Sequence, residues 1–134
     1  MNLAAVMDDL GEALKTIEGL RVFPYWAESV QVPAAVIGWP DPLTYDVAFA
    51  RGADQVELPV ICLVGKVDAR TARDRAAAYA NGSGPSSVKA AIEAHTPTAY
   101  STVRVARCEF GTYIVASVEY LAATFFLDII GTGA

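Results

Sequence analysis

Between positions 60 and 64 the chain reads Val60-Ile61-Cys62-Leu63-Val64, a run in which both alternating sets of side chains are apolar. A strand sends successive side chains to opposite faces, so a half-solvated sheet cannot hold this run; both faces have to be covered. Helices supply one cover, and the other needs a further layer or a partner. The rest of the chain has the apolar material for this. It has 134 residues, 54% of them hydrophobic and only 19% charged, which argues against disorder. A chain of that length suits one core and buries roughly two-thirds of its unfolded surface without staples. So few charges also suit a domain that hides part of its outside against other subunits.

Helical spacing is clearest at the start. Asn2 is a capping residue, and Leu3, Val6, Met7, Leu10, Leu14 and Ile17 follow on one side. Asp8, Asp9, Glu12 and Lys15 fall on the other, which predicts an amphipathic helix ending near Gly19. Residues 21–26 read as a short strand that sits at a sheet edge or ends at Pro24, which has no amide to donate. A second strand, 32–39, closes in Gly38-Trp39-Pro40-Asp41-Pro42, a turn stiffened by two prolines. Strands 43–50 and 55–66 follow, joined as a hairpin by Arg51-Gly52-Ala53-Asp54. Asp68 caps an alanine-rich helix over 69–80 with arginines along one side. Asn81-Gly82-Ser83-Gly84 breaks it, and Pro85 suits the first turn of another helix, 85–94. Two long strands, 98–110 and 112–130, meet near Gly111, and Gly131-Thr132-Gly133-Ala134 reads as a mobile tail. The expected fold class is α+β: one domain over 1–134, a mostly antiparallel or mixed sheet packed against helices, in the order α-β-β-β-β-α-α-β-β.

Charge narrows the function. The net charge is −5, whereas gripping the outside of DNA takes a basic face. The densest basic run, Lys66, Arg70, Arg73 and Arg75, is diluted by Asp68 and Asp74 and fits a solvated helix face, or else an anion or subunit contact. The long apolar stretch 113–130 is interrupted by Glu119 and Asp128, and its β-branched and aromatic residues suit a buried strand better than a membrane span. No basic-then-apolar leader opens the sequence, so a protein made in a cytoplasm is expected.

Catalytic motifs fail on context. Ser86-Ser87-Val88-Lys89 has the serine–lysine spacing of penicillin-binding enzymes, but both companion motifs are missing, and helix-opening serines account for it. Gly82-Ser83-Gly84 follows a helix instead of a strand and lacks the rest of a phosphate loop. Cys62 and Cys108 sit in apolar strand runs as small hydrophobes, without the spacing of metal ligands or of a disulfide framework. His95, the one histidine, stands at a helix end, where a cationic ring suits the dipole. Glu119, in Val118-Glu119-Tyr120-Leu121, points outward from a strand or lies at a subunit seam. No catalytic residue, cofactor or metal is expected. Adjacent aromatics tell more. Tyr25-Trp26 and Phe125-Phe126 cannot each put both rings on one face of a strand, so some must look toward a helix, a partner or water.

This layout resembles the tail terminator proteins of long-tailed bacteriophages: an amphipathic helix, the Tyr25-Trp26 pair, a strand ending in Gly38-Trp39-Pro40, a hairpin, paired helices and two closing strands. The opening through Gly38-Trp39-Pro40 looks most like forms from phages of high-GC actinobacterial hosts. The likeness spans nearly the whole chain and rests on layout, without a diagnostic motif. It implies a non-enzymatic virion protein at the head-proximal end of the tail, assembled in the host cytoplasm. Such proteins form a homo-hexameric ring that caps the last ring of major tail tube protein and presents a face to head-completion proteins. Genomic DNA passes through the pore without sequence-specific binding, and no membrane is involved; an acidic pore would let phosphates slide. Neighbouring roles remain open, namely another head–tail connector or tube component, as does a small ligand-binding or enzymatic domain built around His95, Glu119 or a cysteine. Head-to-tail rings need two unlike, complementary patches on each subunit. The expected contact residues are Trp39 and Asp41 in the proline turn, Arg51 and Asp54 at the hairpin tip, Arg70, Arg73 and Arg75 on the helix, and Glu119.

Overall fold

The computed structural model describes residues 1–23, 31–46, 52–67, 70–115 and 117–132. Helix α1 (Leu3–Leu14) begins as its sequence predicts, with the Asn2 side chain accepting from the Ala5 amide at 3.1 Å. The chain then lays down β1 (Arg21–Phe23), β2 (Ala34–Ile37), β3 (Leu43–Thr44) and β4 (Ala53–Lys66). Helices α2 (Arg70–Ala80) and α3 (Val88–Ala94) follow, and β5 (Thr102–Val115) and β6 (Val118–Thr132) complete a six-stranded sheet. The fold is α+β in the expected element order.

The strand order is β1-β2-β4-β6-β5, with β3 pairing β4 beyond the end of β2. Only β1 and β2 run parallel. The last strand thus enters the middle of the sheet, between β4 and β5. Its register against β4 sets Val56 opposite Ile129, Leu58 opposite Leu127, Val60 opposite Phe125 and Cys62 opposite Ala123. These eight residues face the helices and form the main core with Val6, Leu10 and Leu14 of α1, Ala76 and Tyr79 of α2, and Val88 and Ile92 of α3.

The doubly apolar run at 60–64 is buried on both faces, as its pattern requires. Val60, Cys62 and Val64 point to the helices. Ile61 and Leu63 point the other way, into a small second cluster with Ala122, covered by Val32, Tyr113, Val115 and Tyr120. The second cover therefore comes from within the subunit, at that end of the sheet. Along the rest of the same face β4 and β6 carry Glu57, Pro59, Phe126 and Asp128, and this surface is open.

Several boundaries differ from the sequence reading, four of them for a clear local reason. The β5–β6 turn follows Val115, which pairs with Val118, instead of lying at Gly111: Gly111 pairs with Ala122 inside the ladder, and Ser117 takes the positive φ of 65°. Helix α3 starts at Val88, not Pro85, because the Ser87 hydroxyl accepts the Ala90 amide as N-cap. Pro85 occupies the turn before it, closed by Ser87 N–H donating to Gly84 C=O at 3.2 Å. Gly131 and Thr132 are not tail but strand, paired with Asp54 and Ala53. A Cβ on Gly131 would lie 2.7 Å from Met1 Sδ, so glycine fits where the N-terminal residue packs against β6. Finally, α1 spans Leu3–Leu14 and has ended well before Gly19, where φ is +81°. The predicted strand residues 24–26, the hairpin segment 47–51 and the Asp68 cap lie outside the described residues.

Candidate functional site

His95, weighed from the sequence as candidate chemistry, is engaged within the fold. Asp9 was expected on the wet side of α1, but it is buried at 6% exposure. One carboxylate oxygen meets His95 Nε2 at 2.7 Å, and the other accepts the amides of Thr98 and Ala99 at 2.7 and 3.0 Å. Burial pushes this carboxyl up, but the bonds from His95 and the two amides outweigh it and hold it below the usual range. Asp9 thereby ties the loop after α3 to α1. His95 is a partner in that clamp, and its separation of 86 residues from Asp9 hid the pair from the sequence. Tyr100, near the clamp, is pushed up to about 12 by burial, with the Asp9 charge adding to it.

Glu93 plays a related part at the edge of the sheet. It accepts Lys89 Nζ and the Val105 amide, the latter at 3.0 Å. Burial would raise its carboxyl, yet these donors hold it below the ordinary value. Cys62 is fully buried and its thiol is pushed up to about 12, so it behaves as core. Cys108, half-buried on β5, is also raised by burial. Among the described residues no cluster of three or more His, Cys, Asp or Glu side chains is placed to hold a metal.

The expected contact residues fall into three places. Trp39 is 75% exposed, yet its backbone is tightly held. Gly38 N–H donates to Pro59 C=O at 2.9 Å, Asp41 N–H to Glu57 C=O at 2.8 Å, and Glu57 N–H to Pro42 C=O at 3.0 Å. Gly38 is required here, because a Cβ would lie 2.8 Å from Pro59 Cγ and 3.3 Å from Pro59 O. The proline turn is therefore a rigid strap across β4 that holds an indole out in water. Beside it, on the open face, Asp41, Glu57, Pro59, Arg107, Phe126 and Asp128 line a shallow depression. Arg104 pairs with Asp128 at 3.0 Å, and Arg107 with Glu109 at 3.1 Å while stacking 3.9 Å over the Phe126 ring. Among the described residues Asp41 and Glu57 have no such cation.

On the opposite, helix-covered side, Arg70, Arg73 and Arg75 are all exposed along α2. Arg73 pairs with Asp74 at 2.9 Å; among the described residues Arg70 and Arg75 form no ion pair. Glu119 is exposed near the β5–β6 tip, opposite Ile114. Asp54 does not belong with these. It is buried at 5% exposure and accepts the Asp46 amide at 3.1 Å, closing the loop between β3 and β4 from inside. Reversing its charge would act on the fold, not on a subunit contact. Arg51 lies outside the described residues.

Sequence reasoning missed Phe110 and Ile114, which are 58% and 73% exposed on β5. An apolar residue in a strand reads as core until the neighbouring elements are known. Trp39→Ala should leave subunit stability within about 0.5 kcal/mol, since an exposed ring contributes little packing. If the indole is a contact, the same change should weaken self-association roughly 30-fold or more, as loss of a buried aromatic anchor does. Denaturant melts and sedimentation of the same variant check both halves. No protein-family model matches the chain, and no match to a curated protein was found.

Proposed function

We propose that the chain is a structural subunit that assembles head to tail into a ring, in the manner of a phage tail terminator. In this reading a homo-hexamer caps the head-proximal end of the tail tube. It stops addition of major tail tube protein and offers its other face to a head-completion protein, while genomic DNA passes through the pore unread.

One observation carries the assembly part: the two sides of a single sheet bear opposite charges that form no ion pair among the described residues. Arg70 and Arg75 stand on α2, and Asp41 and Glu57 stand on the open face beside the fixed Trp39. A head-to-tail contact needs such a pair of different, complementary patches, because each subunit presents one to the left and the other to the right. Opposite charges then set register and discourage wrong docking. The terminator role itself is supported by the layout that the chain shares with that family. The engagement of His95 by buried Asp9 speaks against the ligand-binding alternative.

Reversing Arg70 and Arg75 to glutamate should abolish ring formation at physiological salt. Adding Asp41→Arg and Glu57→Arg to that variant should restore part of it. Sedimentation of the double and quadruple variants checks this, and equal assembly in all of them discards the charge pairing. The role is tested by electron microscopy of the protein mixed with tail tubes. A ring seated on one end of the tube is expected. Binding to portal or adaptor rings instead would place the chain elsewhere in the connector, and a monomer that ignores both would end the proposal.

A further inference from the structure

β5 is an edge strand, and its two halves are treated differently. Toward its start α3 covers the edge: Glu93 accepts the Val105 amide, and the ladder slips between Val105 and Arg107. Beyond the slip no element lies alongside residues 108–114 among the described residues.

The direction of the free backbone groups follows from the turn. Val115 faces Val118 across a two-residue loop, which makes them a hydrogen-bonded pair. Alternation then turns the amides and carbonyls of Tyr113, Gly111 and Glu109 inward to β6. Those of Ile114, Thr112, Phe110 and Cys108 point out, to an empty edge. The side chains of these four lie on the helix-covered face, where Phe110 and Ile114 are largely exposed and Phe110 borders Ala76, Ala77 and Leu121. Gly111 stands at the midpoint. A Cβ there would meet nothing within 4 Å and its φ is not positive, so the subunit's own packing gives no reason for glycine. Glycine inside a strand weakens it and often marks the close approach of another backbone.

We propose that this half-edge is closed by the same half-edge of a second copy, antiparallel and centred on Gly111. The register follows from the residues. Pairing about Gly111 sets Cys108 opposite Ile114 of the second copy and Phe110 opposite its Thr112, so all four outward residues are bonded in both copies. It also brings the two Phe110 rings into diagonal contact and leaves no like charges opposed. Centring on Glu109 would oppose the two Glu109 carboxylates and run into the ladder slip. Centring on Phe110 bonds fewer of the outward residues for the same reason. The contact is isologous, so it goes beyond the head-to-tail ring and does not depend on it. It also removes an edge that would otherwise recruit strands unspecifically.

The test is Gly111→Cys in the full chain. Gly111 and its mate form a non-hydrogen-bonded pair with Cα atoms about 4.5 Å apart, within disulfide reach. Glu109→Cys places its sulfurs about four residues, or ~13 Å, out of register and serves as the control. Mild oxidation should convert most of the Gly111→Cys protein to a covalent dimer on a non-reducing gel and leave the Glu109→Cys protein uncrosslinked. Thr112→Pro, which deletes an outward donor and spares the β6 ladder, should weaken the unlinked dimer about tenfold with an unchanged circular dichroism spectrum. A Gly111→Cys protein that stays monomeric on oxidation overturns the inference, as does crosslinking that is equal at both positions. Rings that form without the Gly111→Cys crosslink overturn it and leave the ring reading standing; the crosslink in a protein that never caps a tube does the reverse.

Discussion

Phe125→Ala is expected to destabilise the subunit by about 3–5 kcal/mol, whereas Phe126→Ala, one residue along, should cost about 1 kcal/mol. Phe125 is 2% exposed in the central strand, opposite Val60 and packed under the helices, so truncation leaves a cavity that the surrounding strands cannot close. Phe126 points to the open face, where it supports Pro59 and the Arg107 guanidinium. Its loss removes a stacked cation and some apolar cover without opening a void. Urea unfolding of the two variants measures the difference, and the reverse order of costs would mean that β6 is shifted by one residue, because such a slip exchanges the two faces.

Removing the Asp9 carboxylate comes next in size. Asp9→Ala leaves the Thr98 and Ala99 amides and the His95 ring without their acceptor in a buried site, and should cost about 2–4 kcal/mol. Asp9→Asn keeps one acceptor oxygen and should lose less. The pH dependence has a definite sign. The folded carboxyl titrates below its ordinary value, so its stabilisation is present above about pH 4, the unfolded value, and is lost as the pH falls through the folded one. Asp9→Ala should therefore flatten the acid limb of the stability profile while lowering its neutral plateau. A variant with an unchanged acid limb would show that the clamp does not form.

Both results bear on what could be read before the fold was known. Helix α1 was legible because its cap and its apolar stripe are local. The doubly apolar run at 60–64 announced a strand covered on both faces for the same reason, since strand periodicity is a property of five consecutive residues. The pair Phe125-Phe126 showed that one ring must leave the core, but which one depends on the pairing of β6 with β4. A one-residue slip would exchange them.

The contact residues divide along the same line. Trp39 and Asp41 were marked by the stiffness of a proline turn, and the structure holds that turn out in solvent. Asp54 carried the local signature of a hairpin tip and proved to be a buried acceptor that takes the Asp46 amide. Gly111 read as a turn, for a glycine between two apolar runs is ambiguous until strand lengths are known.

What the residues determined alone was periodicity, capping and composition: which segments are helices or strands, that the run at 60–64 needs cover on both faces, and that acidic residues outnumber basic ones. What only the tertiary structure decided was adjacency. It placed His95 against Asp9 across 86 positions, put the final strand in the middle of the sheet, and left the outer edge of β5 at 108–114 without a neighbouring strand among the described residues. The physical reason is one of range. Backbone preferences and hydrophobic periodicity act within a few residues, whereas the partner of a buried charge or of a strand edge is chosen by packing over the whole chain.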